Sequence, residues 1–231
     1  WYLIEIRLGN LVCNCYKKSL SALRLKLFFG LMLTATSAVG EVGIRARQLV
    51  DEADVTYATR FTWSCSAPTW DRILSNPLLM GELWKAYGFA PDYDITSLGD
   101  TLHVEDPTGL IGDAFCLHRG AGEVAYLVDG RLNHWAIPFF NEASAVFLLK
   151  SDFDQGKIVA NLQVYIRAGS TVGSIVLQAA KPLLVKHVDN RVTLNLQDLR
   201  KIVEELDTSP DRVASRLSGA YLKHFKHLFQ E

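Results

Sequence analysis

The sequence predicts an α+β domain in which antiparallel strands precede one long helix. Three observations predict it. Residues 56–65 alternate with period two, placing Tyr57, Phe61, Trp63 and Cys65 on one side and Arg60, Thr62 and Ser64 on the other. Between residues 93 and 167, strand-like runs follow one another through short Gly- or Asp-bearing connections with no space for crossover helices. After Arg167 the apolar spacing changes to threes and fours and holds as far as Leu206.

Each element follows in order. After the first strand, Ser66-Ala67-Pro68-Thr69 breaks the alternation. Two short helices are expected next, one from Trp70 and one over residues 78–87, separated by Asn76-Pro77 and closed by Gly88. Further strands are expected at 93–98, 101–105, 110–117, 123–128, 131–137, 143–150 and 157–167, with Asp129-Gly130 as one of the turns. Ser170 suits the N-cap of the long helix, with a bend at Pro182. A final helix is expected to start at Ser209-Pro210, with Ser209 capping, and to run to the C-terminus.

Apolar residues make up 49% of the 231, which supplies a sizeable core. A formal charge of −1 speaks against a general nucleic-acid binder, which needs a concentrated basic surface. The chain opens on Trp1, so its natural start is expected elsewhere. Lys17, Lys18, Arg24 and Lys26 precede the apolar run 27–33, and small residues 34–38 follow, the order of a secretory signal cleaved after Ala38. The run falls short of the ~20 residues of a spanning helix. Removing residues 1–38 would leave a more acidic, periplasmic or secreted protein whose cysteines are Cys65 and Cys116, expected as free thiols. Cys13 and Cys15 lack accompanying metal ligands.

The order of one strand, two short helices, antiparallel strands and a long helix resembles the START-like, or helix-grip, superfamily. The resemblance is carried by Phe61-Thr62-Trp63-Ser64-Cys65-Ser66-Ala67-Pro68-Thr69-Trp70-Asp71, Val164-Tyr165-Ile166-Arg167, Lys181-Pro182-Leu183-Leu184 and Asp189-Asn190-Arg191-Val192. It implies a domain over residues 39–206 whose curved sheet grips the helix around a cavity for a lipid, sterol, polyketide or quinone. Residues 207–231, an added amphipathic helix, depart from the usual ending.

Tyr57, Phe61, Trp63, Trp84 and Trp135 are the aromatics that would line such a cavity, though any one of them taken singly more often fills the core. Arg167 and Arg191 could pair with a ligand carboxylate or phosphate through their planar forks. The expected partner is a hydrophobic small molecule or lipid, with no cofactor and no metal. Two alternatives stand beside it. His134 with Glu142 could act as the acid/base pair of a cyclase- or aromatase-like enzyme. Val213, Leu217, Tyr221, Phe225 and Leu228, flanked by Arg212, Arg216, Lys223 and Lys226, could lie on a membrane surface or partner, or pack on their own domain. His103 and Glu105 share a strand face, a weak metal signal. Hydrolase, zincin and nucleotide-binding motifs are absent.

Overall fold

The computed structural model describes residues 37–99, 101–107, 110–132 and 142–230. The chain divides into two compact units, Trp1–Arg47 and Gln48–Glu231. A helix not read from the sequence, α1 (Ser37–Asp51), spans that division, and cleavage after Ala38 would fall in its first turn.

Within Gln48–Glu231, β1 (Val55–Ser64) is followed by two short helices, α2 (Ala67–Ser75) and α3 (Pro77–Ala86). Six strands come next: β2 (Asp94–Leu98), β3 (Thr101–Asp106), β4 (Leu110–Gly120), β5 (Glu123–Leu132), β6 (Glu142–Asp154) and β7 (Lys157–Ala168). The long helix α4 (Thr171–Thr208), the short α5 (Pro210–Ala214) and α6 (Gly219–Phe229) complete the unit. All neighbours in the seven-stranded sheet are antiparallel, in the order β1-β7-β6-β5-β4-β3-β2. This is the expected α+β, helix-grip arrangement.

The alternation of β1 does what it promised. Tyr57 and Trp63 are buried and Phe61 half-buried, whereas Arg60, Thr62 and Ser64 are exposed. The registers carry the same face across the sheet through Val164, Phe147, Tyr126 and Ile95. α4 packs on this face through β1 and β7, and the Tyr57 hydroxyl donates to Asp189 Oδ1 at 2.8 Å. Ser170 caps α4 by accepting from Gly173 N at 3.0 Å, and the helix continues past Pro182 as one element.

Two expectations are corrected. Asp129-Gly130 is not a turn: β5 runs through it, with Asp129 opposite Asp113 and Ser144, and Gly130 opposite Gly112 and Ala143. Two neighbouring ladders hold this dipeptide extended, and Ser144 Oγ donates to Asp129 Oδ1 at 2.7 Å. The C-terminal helix is two helices, because the chain turns after Ala214 and resumes at Gly219, whose φ of 58° lies in the left-handed region that favours glycine. Ser209 occupies the cap position of α5, but its side chain makes no capping hydrogen bond.

The main core joins Trp63, Cys65, Trp70, Ile73, Leu83 and Ile158 to Ile202, Val203 and Leu206 of α4 and to Val213, Leu217 and Phe225. The C-terminal apolar stripe therefore packs on its own domain. Asp207, at the end of α4, ties that helix to the start of α2. It accepts from Ser66 N, Ser66 Oγ and Thr69 Oγ1, each at 2.7 Å, while Ser66 also caps α2. Partial desolvation alone would raise the Asp207 pKa; the three donors outweigh it and lower it. Cys65 and Cys116 are free thiols; Cys65 is buried, and desolvation with the nearby Asp207 charge pushes it up to about 12, whereas Cys116 is exposed.

Candidate functional site

The site is built where the helical insertion, the far edge of the sheet and the C-terminal half of α4 meet. Ile73 and Leu74 of α2, Pro77, Met80, Gly81 and Trp84 of α3, Tyr93 and Ile95 at β2, Tyr126 of β5, and Asn195, Leu196 and Leu199 of α4 line a cavity of about 310 Å³. That volume lies at the lower end of small-molecule sites. The helical pattern explains the α4 wall: residues 192, 195, 196, 199 and 202 recur at spacings of three and four, so they share the side facing the sheet. Gly81 lets α3 approach β2, since a Cβ there would come within 3.1 Å of Ile95 Cδ1.

Aromatic contacts set the walls. Trp84 is buried, donates from Nε1 to Pro91 O at 3.0 Å, and meets Phe89 and Tyr93 edge-on with centroids 5.3 and 5.8 Å away. The Tyr126 hydroxyl accepts from Arg119 at 2.9 Å; desolvation raises its pKa, against the lowering effect of that guanidinium. At one end a polar cluster begins. Arg191 pairs with Asp106, whose side chain is only 3% exposed, and donates from Nε to the Tyr93 hydroxyl at 3.1 Å. Asn195 Nδ2 donates to that same hydroxyl at 2.8 Å.

The residues expected from the sequence divide as follows. Trp84 lines the cavity. Phe61 and Trp63 stack at 4.2 Å and meet Trp70 edge-on, so they fill the core. Tyr57 is held by Asp189 beneath α4, away from the cavity wall. Arg167 lies on the opposite face of the sheet by register and is paired with Glu52 at 2.7 Å. Arg191 reaches the cavity only through Tyr93 and Asn195. Glu142 is exposed and falls on the face opposite the cavity; His134 and Trp135 lie outside the described residues. Tyr93, Tyr126 and Asn195 were not read from the sequence. The available signal for Asn195 was a polar residue inside the apolar stripe of α4.

His103 sits between two carboxylates, with Nδ1 2.7 Å from Asp113 Oδ1 and Nε2 3.2 Å from Glu105 Oε1. The bond to Asp113, then that to Glu105, raises its pKa above the ordinary 6.5, against slight desolvation. A raised folded-state value means that the stabilisation is fully present below the unfolded pKa and is lost as pH rises through the folded one. A proton NMR titration should show a His103 midpoint above 6.5, falling toward it in Asp113→Asn. A midpoint insensitive to that substitution would remove Asp113 as the cause. Among the described residues no three His, Cys, Asp or Glu side chains gather as metal ligands, and no helix is long and apolar enough to cross a membrane.

No protein-family model matches the chain, and no curated protein matches it. Among solved structures it is similar to a conserved protein from Geobacillus kaustophilus, 7% identical over 65% of this chain and 96% of that one, with a TM-score of 0.51. A START superfamily protein from Mycobacterium smegmatis is 12% identical over 65% and 98%, at a TM-score of 0.46. Ara h 8.0201 is 12% identical over 67% and 98%, at 0.43. At such identities a likeness concerns fold alone, and the observed order of strand, helix pair, antiparallel sheet and long helix gives this chain the START-like, helix-grip fold.

Proposed function

We propose that this chain binds a small, lipid-like apolar molecule in the cavity between α2, α3, the sheet and α4. The observation that carries the reading is the lining itself: about 310 Å³ walled by Ile73, Leu74, Met80, Trp84, Ile95, Leu196 and Leu199. Water gains few hydrogen bonds from such walls, so replacing it with apolar surface is favourable by about 25 cal/mol per Å² buried. The cyclase-like alternative gains no support from Glu142, which faces away from the cavity.

The test uses the neutral fluorescent probe N-phenyl-1-naphthylamine. One equivalent should bind saturably, and Leu199→Trp, which fills the cavity, should weaken binding at least tenfold while changing the melting temperature by only a few degrees. Absence of saturable binding, or equal binding by a folded Leu199→Trp, would overturn the reading.

An envelope or extracellular location is part of the same proposal and rests on the basic, apolar and small-residue order of residues 17–38. N-terminal sequencing of protein recovered outside the cytoplasm should begin at Val39. Accumulation of the uncleaved chain in the cytoplasm would count against export.

A further inference from the structure

Where the apolar cavity ends, two hydrogen-bonding capacities are left over on its wall. Asn195 Oδ1 is buried and accepts from nothing among the described residues. The neighbouring Tyr93 oxygen already receives Arg191 Nε at 3.1 Å and Asn195 Nδ2 at 2.8 Å, so both its lone pairs are engaged and its own O–H proton has no acceptor among the described residues. The Arg191 contribution is fixed from behind by its pairing with Asp106 and by the guanidinium lying 5.5 Å over the Tyr93 ring. A buried carbonyl oxygen without a donor is costly enough to be rare.

We infer that Tyr93 and Asn195 form the polar end of the cavity and that they take a hydroxyl group, so that the ligand is an apolar alcohol or phenol. The inference rests on the cavity reading above and narrows it. A hydroxyl is the simplest neutral group that accepts from the Tyr93 O–H and donates to Asn195 Oδ1 together, and it does so at the least cost in desolvation. With the amide turned over, Tyr93 donates to Oδ1 and Nδ2 becomes the unpaired group, which any acceptor oxygen satisfies, so a preference for the phenol over its ether marks the orientation described above. The amide reaches the guest by rotating about a broad χ2 torsion. A hydrocarbon would leave both residues as they stand, and a carboxylate would bring a charge against an apolar lining where the nearby Arg191 guanidinium is already paired with Asp106.

The experiment compares 4-octylphenol with its methyl ether as competitors of N-phenyl-1-naphthylamine on the full chain. The ether retains the apolar body and can accept but not donate. The phenol should bind at least tenfold tighter to the unaltered protein, and Asn195→Leu should bring the two within about twofold while still binding the probe. Tyr93→Phe, which keeps the ring, should also shrink the preference and serves if Asn195→Leu does not fold. Equal binding of phenol and ether, or a preference that survives in both variants, overturns the hydroxyl assignment and leaves the cavity reading standing. Failure of the probe itself to bind saturably removes the cavity reading, and the assignment with it.

Discussion

Replacing Trp70 with alanine is expected to lower the unfolding free energy by about 3–5 kcal/mol. The side chain is fully buried where α2 meets the sheet, edge-on to Phe61 and Trp63 with centroids 6.3 and 6.0 Å away. Its Nε1 also donates to Ser151 Oγ at 2.7 Å, and Ser151 Oγ donates in turn to Gly122 O at 2.5 Å. Alanine would remove the ring from a close-packed site and leave a void that neighbouring strands cannot collapse into. Ser151→Ala strips the acceptor from a buried indole N–H and one of two donors from Gly122 O, which keeps Ser151 N, and should cost about 1–3 kcal/mol. Trp70→Phe keeps most of the packing and leaves no donor stranded, so it should fall well short of the alanine variant. Urea unfolding of the three variants measures the series. A Trp70→Ala loss below about 1 kcal/mol would show that the ring is not the keystone of this core.

A chain ending at residue 208 should fail to hold a stable fold. Val213 and Phe225 are fully buried in the main core and Leu217 nearly so, packed with side chains of α2, α3 and α4. At about 2 kcal/mol for each large apolar side chain, their removal sacrifices about 6 kcal/mol, against the 5–15 kcal/mol of a typical domain. Truncation also takes away Arg212 and Arg216, which lie 3.2 and 3.6 Å from Glu205, and uncovers the buried faces of Ile202 and Leu206. Circular dichroism melting and native-state proteolysis report the result. A cooperative transition near that of the full chain would show the C-terminal helices to be dispensable.

Much of the fold was legible because local pattern and tertiary demand agree. Tyr57, Phe61 and Trp63 alternate against solvent-facing neighbours, and Ser170 marks the point where period two gives way to the helical period. Where they disagree, the local signal misled. Asp129-Gly130 carries a turn's composition, but two flanking ladders hold it extended, and pairing partners are not visible in one stretch of chain. The C-terminal segment read as one helix because its apolar spacing survives the turn between Ala214 and Gly219. The site was less legible still. Alternation says which residues of β1 face inward but not what lies across from them, and Phe61 and Trp63 meet Trp70 rather than a guest. The cavity walls come from α2, α3, β2, β5 and α4, so no single segment displays them, and of the expected aromatics that are described Trp84 alone stands there.

The close approach of α3 to β2 at Gly81 has a consequence for how such a protein diversifies. A methyl group added there would press on Ile95 Cδ1, Cβ and Cγ1 at 3.1–3.3 Å, and relief must come from turning Ile95 or from lifting the helix off the strand. Either movement reshapes the cavity that both residues border. Glycine and alanine codons differ by a single base, so the girth of the cavity would lie one mutation from change, with Tyr93 and Asn195 left in place.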